Sequence, residues 1–330
     1  TGINDYGFDY SFGINASADM LPYVFIENGK TLGIPTVPKP AEGYGRPGLM
    51  VEDWKTENLM PTFTEKAEGY IAKQAQQSDT PFFLYFPLTA PHTPVAPNKA
   101  YYNRSKAGKY GDFVTEVDDV IGRIFAAVKK AGIEQNTLIV LTSDNGPETI
   151  MYDRITKYQH DSSGVFRGAK RDSWEGGSRV PFLVKWPAKI KANTESQALV
   201  STLDFFATVS DITQSPYPKN AAEDSRSFLT SLLQVSTGKA ERDSVVMHSA
   251  GGGFSIREGH WKYIDGQGSH KGNHYKTGAN SIKNNAPAAQ LYNLADDPSE
   301  QNNLYLEQPV IAKRLQKKLH IIQASTRTVD

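Results

Sequence analysis

Residues 137–147 have the sequence TLIVLTSDNGP. Its first six residues form a continuous run rich in β-branched and apolar side chains, which is typical of a central parallel strand covered on both faces. A polar turn follows at once, beginning at Ser143. Because α/β folds build their sites at the carboxyl ends of parallel strands, Asp144 and Asn145 are well placed to bind a ligand.

Elements on both sides of this strand alternate between helix and strand. Apolar residues at helical spacing predict helices over 60–77, 113–131 and 203–212, and apolar runs predict strands over 82–86 and 180–186. This alternation is typical of an α/β architecture. We therefore expect a mixed, mostly parallel sheet flanked by helices, in a first domain over residues 1–240.

The pattern changes after residue 240. Short apolar stretches at 244–248, 254–257 and 261–264 are separated by Gly-rich turns and predict a small antiparallel sheet. An amphipathic helix is expected over 308–323. These elements define a second domain over residues 241–330.

Composition excludes several classes of protein. The 36 basic and 36 acidic side chains of the 330 residues cancel, so no bias towards nucleic acid or membrane surfaces follows. The longest apolar run, residues 81–88, is far shorter than the roughly 20 residues of a membrane span. The chain has no cysteine, which excludes disulfides, thiolate metal sites and a cysteine nucleophile within these residues.

Asp144 and Asn145 offer only hard oxygen ligands. Such ligands suit Ca²⁺ or Mg²⁺ better than a soft metal. The sequence Asp-Asn-Gly is also good turn chemistry, so a plain turn is the alternative.

Two further segments carry chemistry. His92 lies between Pro91 and Pro94, just beyond the predicted strand at 82–86, where an imidazole can act on a leaving-group oxygen or simply belong to a loop. Residues 168–181 combine Lys170 and Arg171 with glycines that let the backbone approach an anion. A charged surface loop is the alternative for this second segment.

The joint occurrence of these motifs, in this order, resembles the sulfatase family of the alkaline phosphatase superfamily. Its members show a strand ending in Pro-His-Thr-Pro, a strand followed by Ser-Asp-Asn-Gly, and a Lys five residues ahead of Glu-Gly-Gly, and this chain matches all three at residues 91–94, 143–146 and 170–177. Residues 290–304 resemble the family's near-C-terminal signature. The opening 7–10 and 23–28 resemble the arylsulfatase A and N-acetylgalactosamine-6-sulfatase branch.

The resemblance implies an alkaline-phosphatase-like fold and a set of roles. Asp144 and Asn145 become two calcium ligands, His92 contacts the sulfate ester or its leaving oxygen, and Lys170 binds the sulfate oxygens. Glu175 and Arg179 are expected to be structural, Glu175 anchoring its loop and Arg179 pairing with a carboxylate. The implied substrate is a sulfated carbohydrate of the glycosaminoglycan type or an aryl sulfate.

The family's nucleophile is not in these residues. It is a formylglycine made from Cys or Ser in a Cys/Ser-x-Pro/Ala-x-Arg motif, and this motif and the Asp-Asp pair that completes the calcium shell are both expected upstream. We therefore expect a truncated sheet, weak calcium binding, no activity for this chain alone, and a possible homo-oligomer through an exposed sheet edge. The parent protein is expected to be secreted or periplasmic.

Two alternatives remain open from the sequence. One is a phosphatase or phosphodiesterase of the same superfamily, for which the supply of His in the catalytic part is thin. The other is a non-catalytic domain that binds sulfated glycans. Gly251 to Gly253, Arg257 and residues 270–283 are candidates for the rim of a sugar site, and His248, His260, His270 and His274 are expected to be solvent-exposed.

Overall fold

The computed structural model describes residues 2–41, 45–77, 79–234, 241–269, 287–325 and 327–328. It divides into two compact units, Thr1–Thr137 and Leu138–Asp330, called unit 1 and unit 2 below. The domain boundary expected at residue 240 stays a prediction. Residues 270–283, one of the candidate rims, lie outside the described residues, as do His270 and His274.

Unit 1 consists of short strands followed by two long helices. Its elements are β1 (Phe12–Gly13), β2 (Ile26–Glu27), β3 (Lys30–Thr31), β4 (Val37–Lys39), β5 (Gly48–Met50), α1 (Leu59–Gln74) and α2 (Gly108–Lys130). Four short 3-10 helices lie at Ile3–Tyr6, Thr56–Asn58, Lys99–Tyr101 and Glu134–Asn136. Strands β1, β2 and β3 form one antiparallel sheet, and β4 pairs antiparallel with β5.

Both helices predicted for unit 1 are confirmed, with α2 starting five residues earlier than expected. Helix α1 uses two faces to build the core. On one face Leu59 and Phe63 pack with Trp54, and on the other Met60 packs with Ala90 and Phe113. Burial of these faces, and not helix propensity alone, stabilises helices of this kind.

The predicted strand at 82–86 is wrong for the described structure, because this segment pairs with no strand among the described residues. Its side chains nevertheless alternate in exposure as they do in a strand. Phe83 and Tyr85 are 62% and 67% exposed, while Phe82, Leu84 and Phe86 are half-buried. The apolar period of two is therefore real, and what this segment lacks is a hydrogen-bonded neighbour.

Unit 2 continues from a strand pair into a larger sheet. Its elements are β6 (Ile139–Leu141), α3 (Met151–Tyr158), α4 (Glu175–Ser178), β7 (Leu183–Lys185), α5 (Phe205–Thr213), α6 (Leu229–Leu232), β8 (Ser244–His248), β9 (Phe254–Glu258), β10 (Trp261–Ile264), β11 (Gln290–Asn293) and α7 (Pro309–Ala324). A 3-10 helix, Thr202–Asp204, leads directly into α5.

The expected mixed, mostly parallel sheet is not found among the described residues. Within the part of the chain that the structure describes, strand β6 pairs with β7 alone, and the pair is antiparallel, with Val140 opposite Val184. Residues of β6 are half-buried, and Leu183 on β7 is 56% exposed. The prediction that β6 is covered on both faces is wrong, because its side chains alternate between the two faces and all three of its residues are only half-buried. The described ladders are antiparallel, and the single parallel contact is an isolated bridge between Tyr23 and Met50.

The C-terminal part matches the prediction. Strands β8 to β11 form an antiparallel sheet in the order β11-β10-β9-β8, and α7 packs on it. The core between them consists of Ile256, Tyr263, Ala289, Leu291, Ala312, Leu315 and Leu319. Strand β11 was not expected from the sequence. In the described ranges, no helix has the length and apolar character needed to cross a bilayer.

Candidate active site

Residues 143–148, called the acidic loop, leave β6 and turn at a buried glycine. The Gly146 N–H donates to the Gly177 carbonyl at 3.0 Å. A Cβ on Gly146 would lie 1.8 Å from the carbonyl oxygen of Gly176. Only glycine allows this approach, so close packing explains why the Ser-Asp-Asn-Gly motif has glycine at this position.

Residues 167–179, called the lysine loop, lie against the acidic loop. The Lys170 N–H donates to the Pro147 carbonyl at 2.7 Å, which adds a second backbone bond to the one made by Gly146. A side-chain contact reinforces the pair. The Arg171 guanidinium binds the Glu148 carboxylate through two hydrogen bonds, one of them 2.8 Å long. The structure therefore brings Asp144, Asn145 and Lys170 onto two joined loops of unit 2.

The ion pair between Glu148 and Arg171 was not expected from the sequence. Burial alone raises the pKa of Glu148, but hydrogen bonds from Arg171 and Thr149 hold it below its ordinary value. Glu148 therefore stays ionised and keeps Arg171 in an ion pair. Arg171 adopts a φ of 81°, a backbone conformation that costs free energy for a residue with a side chain.

Asp144 and Asn145 present oxygen atoms at the end of β6. Asp144 is exposed, and its Oδ1 accepts a long hydrogen bond, 3.4 Å, from the Ser143 hydroxyl. The Asn145 side-chain nitrogen donates to the Gly146 carbonyl at 2.9 Å, and its amide oxygen is the atom that could bind a cation. Both atoms are hard donors of the kind that calcium prefers. Within the described ranges, no group of three or more His, Cys, Asp or Glu side chains is arranged to hold a metal.

His92 belongs to unit 1 and lies on an exposed loop. Its Nδ1 is 2.6 Å from the Thr93 carbonyl, so Nδ1 carries the hydrogen and Nε2 is the nitrogen open to a ligand. The loop is fixed at both ends. Ala90 is buried against α1 and α2, and the Asn98 N–H donates to the buried Glu116 carboxylate at 2.9 Å.

The lysine loop is anchored on the C-terminal sheet by buried side chains. Trp174 packs with Ile264 and Tyr292, and its indole N–H donates to Gln290 at 3.0 Å. Glu175, 2% exposed, binds Lys262 and Arg257 at 2.9 Å each and Arg179 at 3.3 Å. The structural roles expected for Glu175 and Arg179 are confirmed.

Arg257 has a structural contact, and its expected place at the rim of a sugar site stays a prediction. Its guanidinium is turned inward onto Glu175, with 22% of the side chain exposed. The sequence could not show this, because 82 residues separate the two partners. His248 and His260 are exposed, as expected.

Comparison with known proteins agrees with this geometry. The family model described as Sulfatase matches residues 3–215, and the model of the N-sulphoglucosamine sulphohydrolase C-terminal region matches residues 164–325. The chain belongs to the sulfatase family. The matched ranges include both loops of the candidate site.

Individual relatives support the same placement. The chain is 32% identical to an N-acetylgalactosamine-6-O-sulfatase of Bacteroides thetaiotaomicron, over 96% of this chain and 68% of the relative. It is 33% identical to human arylsulfatase A, over 71% of this chain and 46% of the relative. The sulfatase thus spans about two thirds of the bacterial relative and less than half of the human one.

A solved structure supports the fold. A Bacteroides thetaiotaomicron protein designated 6S-sulf, from a genetic locus for the metabolism of multiple glycosaminoglycans, superposes with a TM-score of 0.81 at 28% identity. The match covers 97% of this sulfatase and 73% of that chain. The α/β, alkaline-phosphatase-like fold class is therefore supported, although the described residues contain no parallel sheet.

Proposed function

We propose that this chain carries part of the active site of a calcium-dependent sulfatase that hydrolyses a sulfate monoester of a sulfated sugar or an aryl sulfate. The observation that carries the proposal is the joining of the acidic loop to the lysine loop, with 2.7 Å between the Lys170 backbone nitrogen and the Pro147 carbonyl oxygen. That junction supports a common site for the oxygen ligands carried by the acidic loop and the lysine carried by the other loop. The substrate class is supported by the names of the two relatives, an N-acetylgalactosamine-6-O-sulfatase and an arylsulfatase.

Asp144 and Asn145 would hold the calcium ion. When bound, calcium supplies positive charge where negative charge concentrates on the sulfate oxygens. A calcium site gathers six to eight oxygens, and this chain offers two from the acidic loop. Calcium binding by this chain alone is therefore proposed to be weak.

Lys170 would bind the sulfate group itself. Its ammonium is a point charge with three donors, suited to the oxygens of a tetrahedral anion. For His92, in the other unit, the role rests on the family resemblance. In its protonated form, with hydrogens on both ring nitrogens, His92 would donate the Nε2 proton to the ester oxygen as that oxygen leaves, and the neutral ring would keep its hydrogen on Nδ1.

The nucleophile is proposed to be a formylglycine outside these 330 residues. The chain has no cysteine from which one can be made, and its Ser215-Pro216 pair does not have the required spacing. Its loops can hold a sulfate ester and stabilise charge on it. They cannot open the ester without that group.

The test is sulfate release by the protein that carries both this chain and the formylglycine motif. Lys170→Ala and Asp144→Ala should each lower kcat/KM roughly 100-fold or more on a 6-sulfated N-acetylgalactosamine, because each removes a group that stabilises the developing charge. Lys157→Ala, which removes an exposed lysine from α3, is the matched control and should leave kcat/KM unchanged. Wild-type turnover that survives both site substitutions contradicts the proposal.

A second candidate function is the binding of sulfated glycans without hydrolysis. It is favoured by the lack of a nucleophile in these residues. Binding of the 6-sulfated sugar that depends on Lys170, with no sulfate released by the protein carrying the motif region, would favour this reading. Faster release of phosphate than of sulfate from matched esters would favour a phosphatase.

A further inference from the structure

Five charged side chains, called the Glu175 cluster, join the lysine loop to the C-terminal sheet: Glu175, Arg179, Arg257, Lys262 and Glu300. Lys262 is fully buried and lies between two carboxylates, 2.9 Å from Glu175 and 3.3 Å from Glu300. Glu300 is also fully buried, and it accepts the backbone N–H of Glu175 at 2.6 Å. Charged groups are seldom placed so deep unless each is paired.

Burial alone raises the pKa of Glu175, but the charges of Lys262 and Arg257 outweigh burial and hold it below its ordinary value. Glu175 is therefore an anion in the interior, held by cations from β9 and β10. Removing Lys262 takes from Glu175 its one fully buried cation and leaves it paired with Arg257 and Arg179, which are 22% and 43% exposed. The loop that carries Glu175 is then expected to shift towards these more exposed partners.

Glu175 lies two residues before Gly177, whose carbonyl accepts the Gly146 N–H at 3.0 Å and so joins the two loops of the site. Between them, Gly176 donates to the Arg167 carbonyl at 2.7 Å within the lysine loop. A Cβ on either glycine would meet backbone oxygen atoms at 2.3–2.4 Å. Because the backbone is packed this closely, a shift of Glu175 is expected to displace the acidic loop and Lys170 as well.

We propose that Lys262 is a positioning residue of the active site, which fixes Lys170 and the acidic loop through Glu175. The inference rests on the proposed function, in which Lys170 binds sulfate. It also gives the C-terminal sheet a role in the site, because Lys262 on β10 and Arg257 on β9 hold the loop from the sheet side. The remaining cation, Arg179, is 43% exposed and holds Glu175 least.

The test measures affinity for inorganic sulfate by calorimetric titration, in the presence of calcium and well below the melting temperature. Lys262→Met should weaken sulfate binding roughly tenfold, equivalent to about 1.4 kcal/mol. Lys318→Met is the matched control, since Lys318 also bridges two carboxylates, Asp243 and Glu258, but is 28% exposed and has both of these partners outside the lysine loop. It should leave sulfate affinity unchanged.

A double-mutant cycle separates positioning from a general loss of structure. Because Lys262 acts through Lys170, the variant with both Lys170→Ala and Lys262→Met should bind sulfate no more weakly than Lys170→Ala alone. Additive losses overturn the inference. So does a Lys262→Met protein that binds sulfate like the wild type.

A graded series keeps the test informative if Lys262→Met does not fold. Arg257→Met and Arg179→Met remove cations from the same carboxylate at 22% and 43% exposure, so the first should weaken sulfate binding more than the second. The reverse order, or no effect of either, overturns the inference. If Lys170→Ala itself leaves sulfate affinity unchanged, the proposed function fails first, and the inference fails with it.

Discussion

Gly146 lies at the contact between the acidic loop and the lysine loop, and we predict that it tolerates no side chain. A Cβ there would lie 1.8 Å from the Gly176 carbonyl oxygen. Gly146→Ala should therefore lower the free energy of unfolding by about 3 kcal/mol, as overpacking of a tight site does. Urea unfolding followed by circular dichroism measures the change.

Gly122 supplies the matched control. It lies inside α2, and a Cβ at this position meets nothing within 4 Å. Gly122→Ala should raise the free energy of unfolding by about 0.5–1 kcal/mol, because alanine favours the helix. Equal effects of the two substitutions would show that the loops are not packed as described.

At the scale of single residues, the sequence could predict the site side chains that belong to local motifs. It could not predict the side chains with which they pair, because those lie far away along the chain. Asp144, Asn145 and Lys170 are visible because each follows a strand or precedes a glycine pair. Glu175 was expected to be structural, but Lys262 and Glu300 lie 87 and 125 residues further along the chain. Nothing in one sequence reports a pairing over such separations.

At the scale of elements, the Glu175 cluster predicts how stability depends on pH. Burial raises the pKa of Glu300 to about 7, from an ordinary value near 4.5. The folded state then binds a proton that the unfolded state has lost, so the contribution of Glu300 to stability falls as pH rises from about 4.5 to about 7. Glu175, with its lowered pKa, acts in the opposite sense, and its contribution is lost as pH falls below about 4.5.

Glu300→Gln separates the two effects. The free energy of unfolding of this variant, measured in urea at a series of pH values, should decline less between pH 4.5 and 7 than that of the wild type. Its behaviour below pH 4.5 should be similar to that of the wild type, because Glu175 and the other carboxyl groups with lowered pKa values are unchanged. Parallel curves for both proteins over the upper range would contradict the assignment.

A buried ion pair holds the start of α5 to the segment before β8. Arg242 donates to Asp204 through Nε at 2.9 Å and through a second nitrogen, and the two side chains are 5% and 1% exposed. Arg242→Met should lower the free energy of unfolding by about 3–5 kcal/mol, because it leaves a buried carboxylate without its cation. Chemical denaturation measures the loss.

Arg123→Met is the matched control for this prediction. Arg123 makes a similar two-bond pair with Glu68, but the side chains are 37% and 31% exposed. Water replaces most of what is lost, so the expected change is at most about 1 kcal/mol. A control as damaging as Arg242→Met would mean that burial is not the cause.

Helices were easier to predict than the sheet, for a physical reason. The cores of α1, α2 and α7 are encoded by the spacing of their own apolar residues. Strand direction depends on a neighbour, and the run at 137–142 is equally compatible with a parallel or an antiparallel partner. It pairs with β7 in antiparallel register, which the apolar pattern alone could not indicate.

For the whole molecule, we predict that the 330-residue chain alone releases no sulfate from 4-nitrocatechol sulfate or a 6-sulfated sugar. Groups that bind and stabilise charge do not replace a missing nucleophile. The control is the protein that also carries the formylglycine motif, produced with a formylglycine-generating enzyme and assayed with calcium. Turnover by the chain alone would contradict the assignment of the nucleophile to another segment.

The central claim is that the acidic loop and the lysine loop form one site for calcium and sulfate, and calcium titration with and without sulfate tests it most directly. Two ligands of one site must change each other's affinity by the same factor. The account predicts that sulfate tightens calcium binding severalfold in the wild type, and that Asp144→Ala and Lys170→Ala each abolish this coupling. Calcium affinity that is unaffected by sulfate, or coupling that survives in both variants, would contradict the account.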